Sequence, residues 1–131
     1  MRILLIIDDA RTRLALQFHL SSRPDVVLVG AVDHNTDTAL VVAGTCPDLV
    51  ILDWDSHHPT GVQLLSAIRA TGHQCMILVV SSDLDAEHAT LAAGADVFVS
   101  KSVPPDQLFL KAYRAHVART SRRGGDSRRT R

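Results

Sequence analysis

Four short polar groups follow directly on apolar runs in this chain. They are Asp8-Asp9 after RILLII, Asp53 and Asp55 after LVIL, Ser81-Ser82 after MILVV, and Ser100-Lys101 after VFV. Carboxylates held close together repel. At an effective dielectric of about 20, each pair some 4 Å apart costs on the order of 4 kcal/mol. Such a cluster must protonate, pair with the Lys101 ammonium, or bind a cation. Hard oxygen ligands favour Mg2+. A carboxylate beside Mg2+ can attack a phosphoryl donor and become an aspartyl phosphate. Metal and ammonium then neutralise the phosphoryl oxygens, and a neighbouring hydroxyl can hydrogen-bond the group.

These groups form one site only if the fold brings the ends of the apolar runs together. Residues 2–7, 26–32 (VVLVGAV), 48–53 (DLVILD), 75–81 (CMILVVS) and 96–100 (DVFVS) read as five strands. Helix-like segments separate them. Residues 11–22 place Leu14, Leu16, Phe18 and Leu20 mostly at helical spacing; residues 36–45 follow, ended by Pro47. Residues 61–71 carry Val62, Leu65, Ile68 and Arg69 and stop at Gly72; the Ala-rich 85–93 stops at Gly94. A last helix starts near Pro104–Asp106 and fades into an arginine-rich tail. This alternation predicts an α/β fold, a five-stranded parallel sheet with helices on both faces. Continuous apolar strands suit a sheet covered on both sides. In open sheets of this kind ligands bind beyond the carboxyl ends of the strands, where the polar groups stand.

The 131 residues fit one domain, and 46% hydrophobic with 21% charged residues is an ordinary globular composition. No apolar run approaches the roughly 20 residues that span a bilayer. The apolar start ends in two aspartates without a small-residue cleavage site, so it is not read as a signal peptide, and the cytoplasm is expected. Cys46 and Cys75 are expected to be reduced core thiols. Charge is unevenly spread: residues 119–131 hold six arginines against Asp126, while residues 1–118 hold 8 basic and 13 acidic groups. The reading is one domain over 1–118 and a basic, disordered tail over 119–131.

Taken in order, DD, PDLVILD, a hydroxyl after ILVV, and GADVFVSK resemble the response-regulator receiver family over roughly residues 2–118. The resemblance implies a doubly wound, flavodoxin-like (βα)5 fold. It implies Asp53 as phosphoacceptor and a Mg2+ site formed by Asp8, Asp9, Asp53 and the main-chain carbonyl of Asp55. It also implies Ser81 as the phosphoryl-binding switch hydroxyl, with Ser82 as the off-by-one alternative, Lys101 as the phosphate-pairing cation, and Phe98 as the aromatic switch. The expected donor is a histidine kinase or a phosphotransfer protein. Phosphorylation is expected to reorganise the face built by the last two helices and strand five, which would bind a partner or a second copy as a homodimer. Flanks such as RPDVVLVGAVD and LAAGAD look most like receivers that precede a helix-turn-helix domain. The tail is too short to fold into one, so output is expected through protein contacts, dimerisation or action as a phosphate sink. No membrane partner is expected, and nucleic acid only weakly through the tail.

The sequence departs from the family pattern in three places. The Met-Pro usual after the acceptor is replaced by WDSHHPTG, with Pro59 displaced; Ser102 replaces a proline after Lys101; and residues 81–94 look about two residues short. The displaced Pro59 and the missing proline after Lys101 favour a second reading, a degenerate receiver that acts as an interaction module without phosphorylation. A third is a small Mg2+-dependent phosphatase with Asp55 as acid, for which no substrate cap is evident; otherwise the chain reads as a switch rather than an enzyme. Structural roles compete residue by residue. Asp8-Asp9 suit a helix N-cap, Ser81 could cap the next helix, Trp54 is expected at the rim, and His57-His58 suit an exposed loop. The first turn, DDARTR, lacks the glycines of a nucleotide-binding loop.

Overall fold

In the computed structural model five strands lie parallel in the order β2-β1-β3-β4-β5: β1 (Arg2–Ile6), β2 (Val27–Val32), β3 (Leu49–Asp53), β4 (Met76–Ser81) and β5 (Val97–Ser100). The structure describes residues 1–33, 36–57 and 61–129, with only the backbone of Ser56, His57 and 122–129. The connecting helices are α1 (Ala10–Ser21), α2 (Thr38–Thr45), a single turn α3 (Trp54–His57), α4 (Gly61–Ala70), α5 (Glu87–Ala92) after a 3-10 turn, and α6 (Pro105–Arg129). The doubly wound, five-stranded sheet predicted from the sequence is the one formed.

Alternating strand residues serve two cores. Ile3, Leu5, Ile51, Leu78 and Val99 face α1 and α6, against Leu16, Leu20, Leu108 and Phe109. Leu4, Ile6, Val50, Leu52, Ile77 and Val79 face the other way, against Val42, Leu65 and Ile68 of α2 and α4. Both faces are buried, so a strand needs apolar residues at every position, and the runs are continuous. Each such Ile or Leu contributes roughly 1.5–3 kcal/mol on burial.

The structure corrects three expectations. Leu14 and Phe18 on α1 are exposed, at 63% and 83%. They lie about 200° round the helix from Leu16 and Leu20, so only one pair can face the sheet. Trp54 is buried rather than at the rim, against Gly61, where a Cβ would stand 2.9 Å from the indole. Cys75 is a buried thiol as expected, but Cys46 is exposed and caps α2 in a left-handed conformation (φ 47°). The helix α6 runs on through residue 119 to Arg129.

Candidate functional site

In the order β2-β1-β3-β4-β5 the chain reverses direction of winding beside β1, and the crevice there lies at the carboxyl ends of β1 and β3. Strand register delivers the other polar groups. Asp53 pairs with Val80, Ser81 with Ser100, and the Lys101 amide donates to the Ser81 carbonyl at 2.9 Å. Asp53, Ser81 and Lys101 thus come together from three adjacent strand ends.

Asp53 is fully buried, and Lys101 Nζ lies 2.9 Å from its Oδ1. The same ammonium lies 3.2 Å from Asp55 Oδ2. The Asp55 amide donates to Asp53 Oδ1 at 3.1 Å. Burial works against the charged form of Lys101, but hydrogen bonds and charge from Asp53, then Asp55, outweigh it and raise the ammonium above its ordinary pKa.

The Asp55 side chain has a larger share in the site than the sequence indicates. The resemblance assigns it only a main-chain carbonyl. In the structure its carboxylate accepts from Ser81 Oγ at 2.6 Å, Ser82 Oγ at 2.6 Å and the Ser82 amide at 2.9 Å, besides facing Lys101. Burial pushes this carboxyl upward, but those hydrogen bonds prevail and hold it well below the usual carboxylate range. Ser81 is fully buried and also accepts from the Asp83 amide at 3.0 Å. Both hydroxyls considered in the sequence therefore reach the site.

Asp8 and Asp9 follow β1 as expected. The Asp9 carboxylate caps α1, accepting from the Arg11 and Thr12 amides at 3.3 Å and from Thr12 Oγ1 at 2.5 Å. The Thr12 hydroxyl lowers its pKa; desolvation opposes this, and those amides and the charge of Lys101 lower it further. The structural role weighed for this pair is thus present in Asp9. Arg13, which sequence reasoning missed, donates from Nη1 to the carbonyls of Ile7 and Asp8 at 2.7 and 3.2 Å and so shapes this turn. Its position in the first turn of α1, just after the polar end of β1, was the only sequence signal. Phe98 packs in the α2/α4 core beside β4, 9% exposed. His58 and Pro59 lie outside the described residues, as does the side chain of His57.

The Mg2+ expectation can be tested against the donors present. All are hard oxygens, which suit Mg2+. Among the described residues no three side chains of His, Cys, Asp or Glu form a ready-made metal cage. A Mg2+ held here would keep several waters, as that ion ordinarily does.

An open parallel sheet with a buried aspartate paired to a lysine at its switch point defines a receiver-like α/β protein. The chain belongs to the response-regulator family: the family model described as "Response regulator receiver domain" matches residues 3–113. It is 31% identical over 110 residues to a nitrate/nitrite response regulator homolog of Haemophilus influenzae, covering 82% of this chain and 53% of that one. It is 28% identical over 110 residues to an uncharacterized transcriptional regulatory protein of Bacillus subtilis, covering 82% and 51%. The chain thus spans about half the length of these relatives. The signal receiver domain of a putative NarL response regulator from Mycobacterium tuberculosis superimposes with a TM-score of 0.78 at 20% identity, covering 88% of this chain and 94% of that one. Among the described residues no helix is long and apolar enough to cross a membrane.

Proposed function

We propose that this chain is a phosphorylation switch with Asp53 as acceptor, served by a histidine kinase or a phosphotransfer protein. The observation that carries this reading is the fully buried Asp53 carboxylate held 2.9 Å from Lys101 Nζ at the switch point of the sheet. In the proposed step an Asp53 carboxylate oxygen forms a bond to phosphorus. The bond from phosphorus to the donor's histidine nitrogen breaks, and its electron pair stays on the imidazole. Lys101 balances charge on the transferred oxygens. Asp8, Asp9, Asp53 and the Asp55 carbonyl would hold Mg2+, which would supply charge neutralisation at the same oxygens. Asp9 would then exchange its cap contacts for the metal.

Ser81 and Phe98 are the proposed readout, through the face of β5, α5 and α6, where a partner or a second copy would dock. The domain proper is proposed to end near residue 118, with the basic segment beyond it as an appendage of α6. The proposed setting is the cytoplasm.

One observation favours the second reading, a phosphorylation-independent interaction module: the Asp55 carboxylate already engages Ser81 and Lys101. The two readings separate on one experiment. Trp54 follows the acceptor directly and is buried, so its fluorescence reports on the site. Titration with Mg2+ and then a small phosphodonor is expected to give two successive changes, the second lost in Asp53→Asn. Two identical titrations in wild type and Asp53→Asn would favour the interaction module.

A further inference from the structure

Four donors converge on one carboxylate that is not the acceptor. Ser81 Oγ meets Asp55 Oδ1, while Ser82 Oγ, the Ser82 amide and Lys101 Nζ meet Asp55 Oδ2. Two of these, Ser81 Oγ and Lys101 Nζ, are the groups that a phosphoryl group on Asp53 would need under the reading above, on which this inference rests. The other two, both from Ser82, touch Asp55 on its exposed side. Asp55 is also tied back to the acceptor, because its amide donates to Asp53 Oδ1 at 3.1 Å. A single carboxylate therefore bridges switch hydroxyl and lysine while its own backbone orients the acceptor.

We infer that the Asp55 carboxylate is a built-in competitor of the phosphoryl group: latched by Ser82, it fills the anion seat formed by Ser81 and Lys101, and phosphorylation of Asp53 must displace it. Charge and geometry give the reason. A carboxylate and a phosphoryl group are both anions that seek charge-assisted donors, and two anions cannot share one hydroxyl and one ammonium without strong repulsion. Asp55 meets the seat through its side-chain carboxylate alone, so rotation of that side chain would free the seat without unfolding α3. The seat would thereby be kept formed and closed at rest, and only a ligand anchored on Asp53 would outcompete its occupant. Asp55 is a positioning and specificity-determining residue in this account, and Ser82 sets how firmly it holds.

The test is the affinity of the full chain for beryllofluoride, a phosphoryl mimic, at saturating Mg2+, read by Trp54 fluorescence, with Mg2+ affinity measured separately. Asp55→Asn is expected to tighten beryllofluoride binding by about tenfold or more, the scale of one charge-assisted hydrogen bond. Ser82→Ala removes one latch and leaves every charge in place, so local electrostatics alone cannot account for a change. It is expected to tighten binding about threefold. Circular dichroism checks that both variants fold, and Asp55→Ala is the second variant should Asp55→Asn not. Equal or weaker binding by folded Asp55 and Ser82 variants overturns the inference and leaves the phosphorylation reading standing. Silence of every protein toward beryllofluoride, Asp55→Asn included, overturns both. A response in Asp55→Asn with none in wild type supports the inference in its strongest form.

Discussion

The two ends of the sheet solve the same electrostatic problem differently. At the amino end, Asp96 Oδ2 accepts from Arg69 Nη2 and from the Ile77 amide, both at 2.8 Å, and Asp48 Oδ2 accepts from the Arg2 amide at 2.8 Å. Arg69 also donates to the carbonyls of Gly94 and Cys75, at 2.8 and 2.7 Å. Each carboxylate there stitches strand starts together with donors of its own. At the carboxyl end, Asp53 and Asp55 share the one ammonium of Lys101, and Asp53 is fully buried. The difference is the shared cation, since Asp55 also has donors of its own in Ser81 and Ser82. Two carboxylates on one ammonium repel; a bound cation would relieve that repulsion, and a phosphoryl group on Asp53 would add to it.

The sharpest way to break this comparison is to remove each cation in turn. Lys101→Ala leaves Asp53 buried without its ammonium and is expected to lower stability by about 3 kcal/mol in urea denaturation without metal. Added Mg2+ is expected to recover more stability in this variant than in wild type, by linkage. A loss no greater than for a surface lysine would erase the distinction. Arg69→Ala is expected to cost about 2 kcal/mol, since it strips donors from two carbonyls and a partly exposed carboxylate. It should leave the Trp54 response to a phosphodonor unchanged, and an altered response would show that the two ends are coupled.

A smaller effect follows from pH. The Asp55 carboxyl is depressed below its ordinary value of 3.8, so its contribution to stability is fully present above that value and is lost as pH falls below it toward the folded-state pKa. Lys101 is raised above its ordinary 10.5, so its contribution is full below 10.5 and is lost only as pH climbs past it. The stability difference between wild type and Asp55→Asn should therefore be flat through neutral pH and shrink in acid below 3.8. A difference that changes between pH 6 and 8, as about the range where an ordinary histidine titrates, would point to another group.

The fold was legible because its pattern is redundant. Five apolar runs and five helical segments alternate, and a parallel sheet buried on both faces demands that rhythm. Asp53, Ser81 and Lys101 were legible for a related reason, since each ends a strand and register brings strand ends together. What could not be read was direction. Leu14 and Leu16 look alike in sequence yet lie on opposite sides of α1. Trp54 turns inward because Gly61, in an unrelated helix, leaves room for its ring. The hold of Asp55 on Ser81 and Ser82 crosses 26 and 27 residues and depends on a side-chain rotamer, which spacing does not encode. Arg13 reaches back to carbonyls, and main-chain acceptors leave no mark in a sequence.

If Asp53 takes the phosphoryl group, the product is an acyl phosphate on that one side chain. The direct measurement is the intact mass of the chain after incubation with Mg2+ and a small phosphodonor, with the modified residue located by fragmentation and with Asp53→Asn run in parallel. The expected result is the mass of one added phosphoryl group, placed on Asp53, dependent on Mg2+ and lost in Asp53→Asn. An unmodified wild-type chain, or a phosphoryl group that persists in Asp53→Asn, would contradict it.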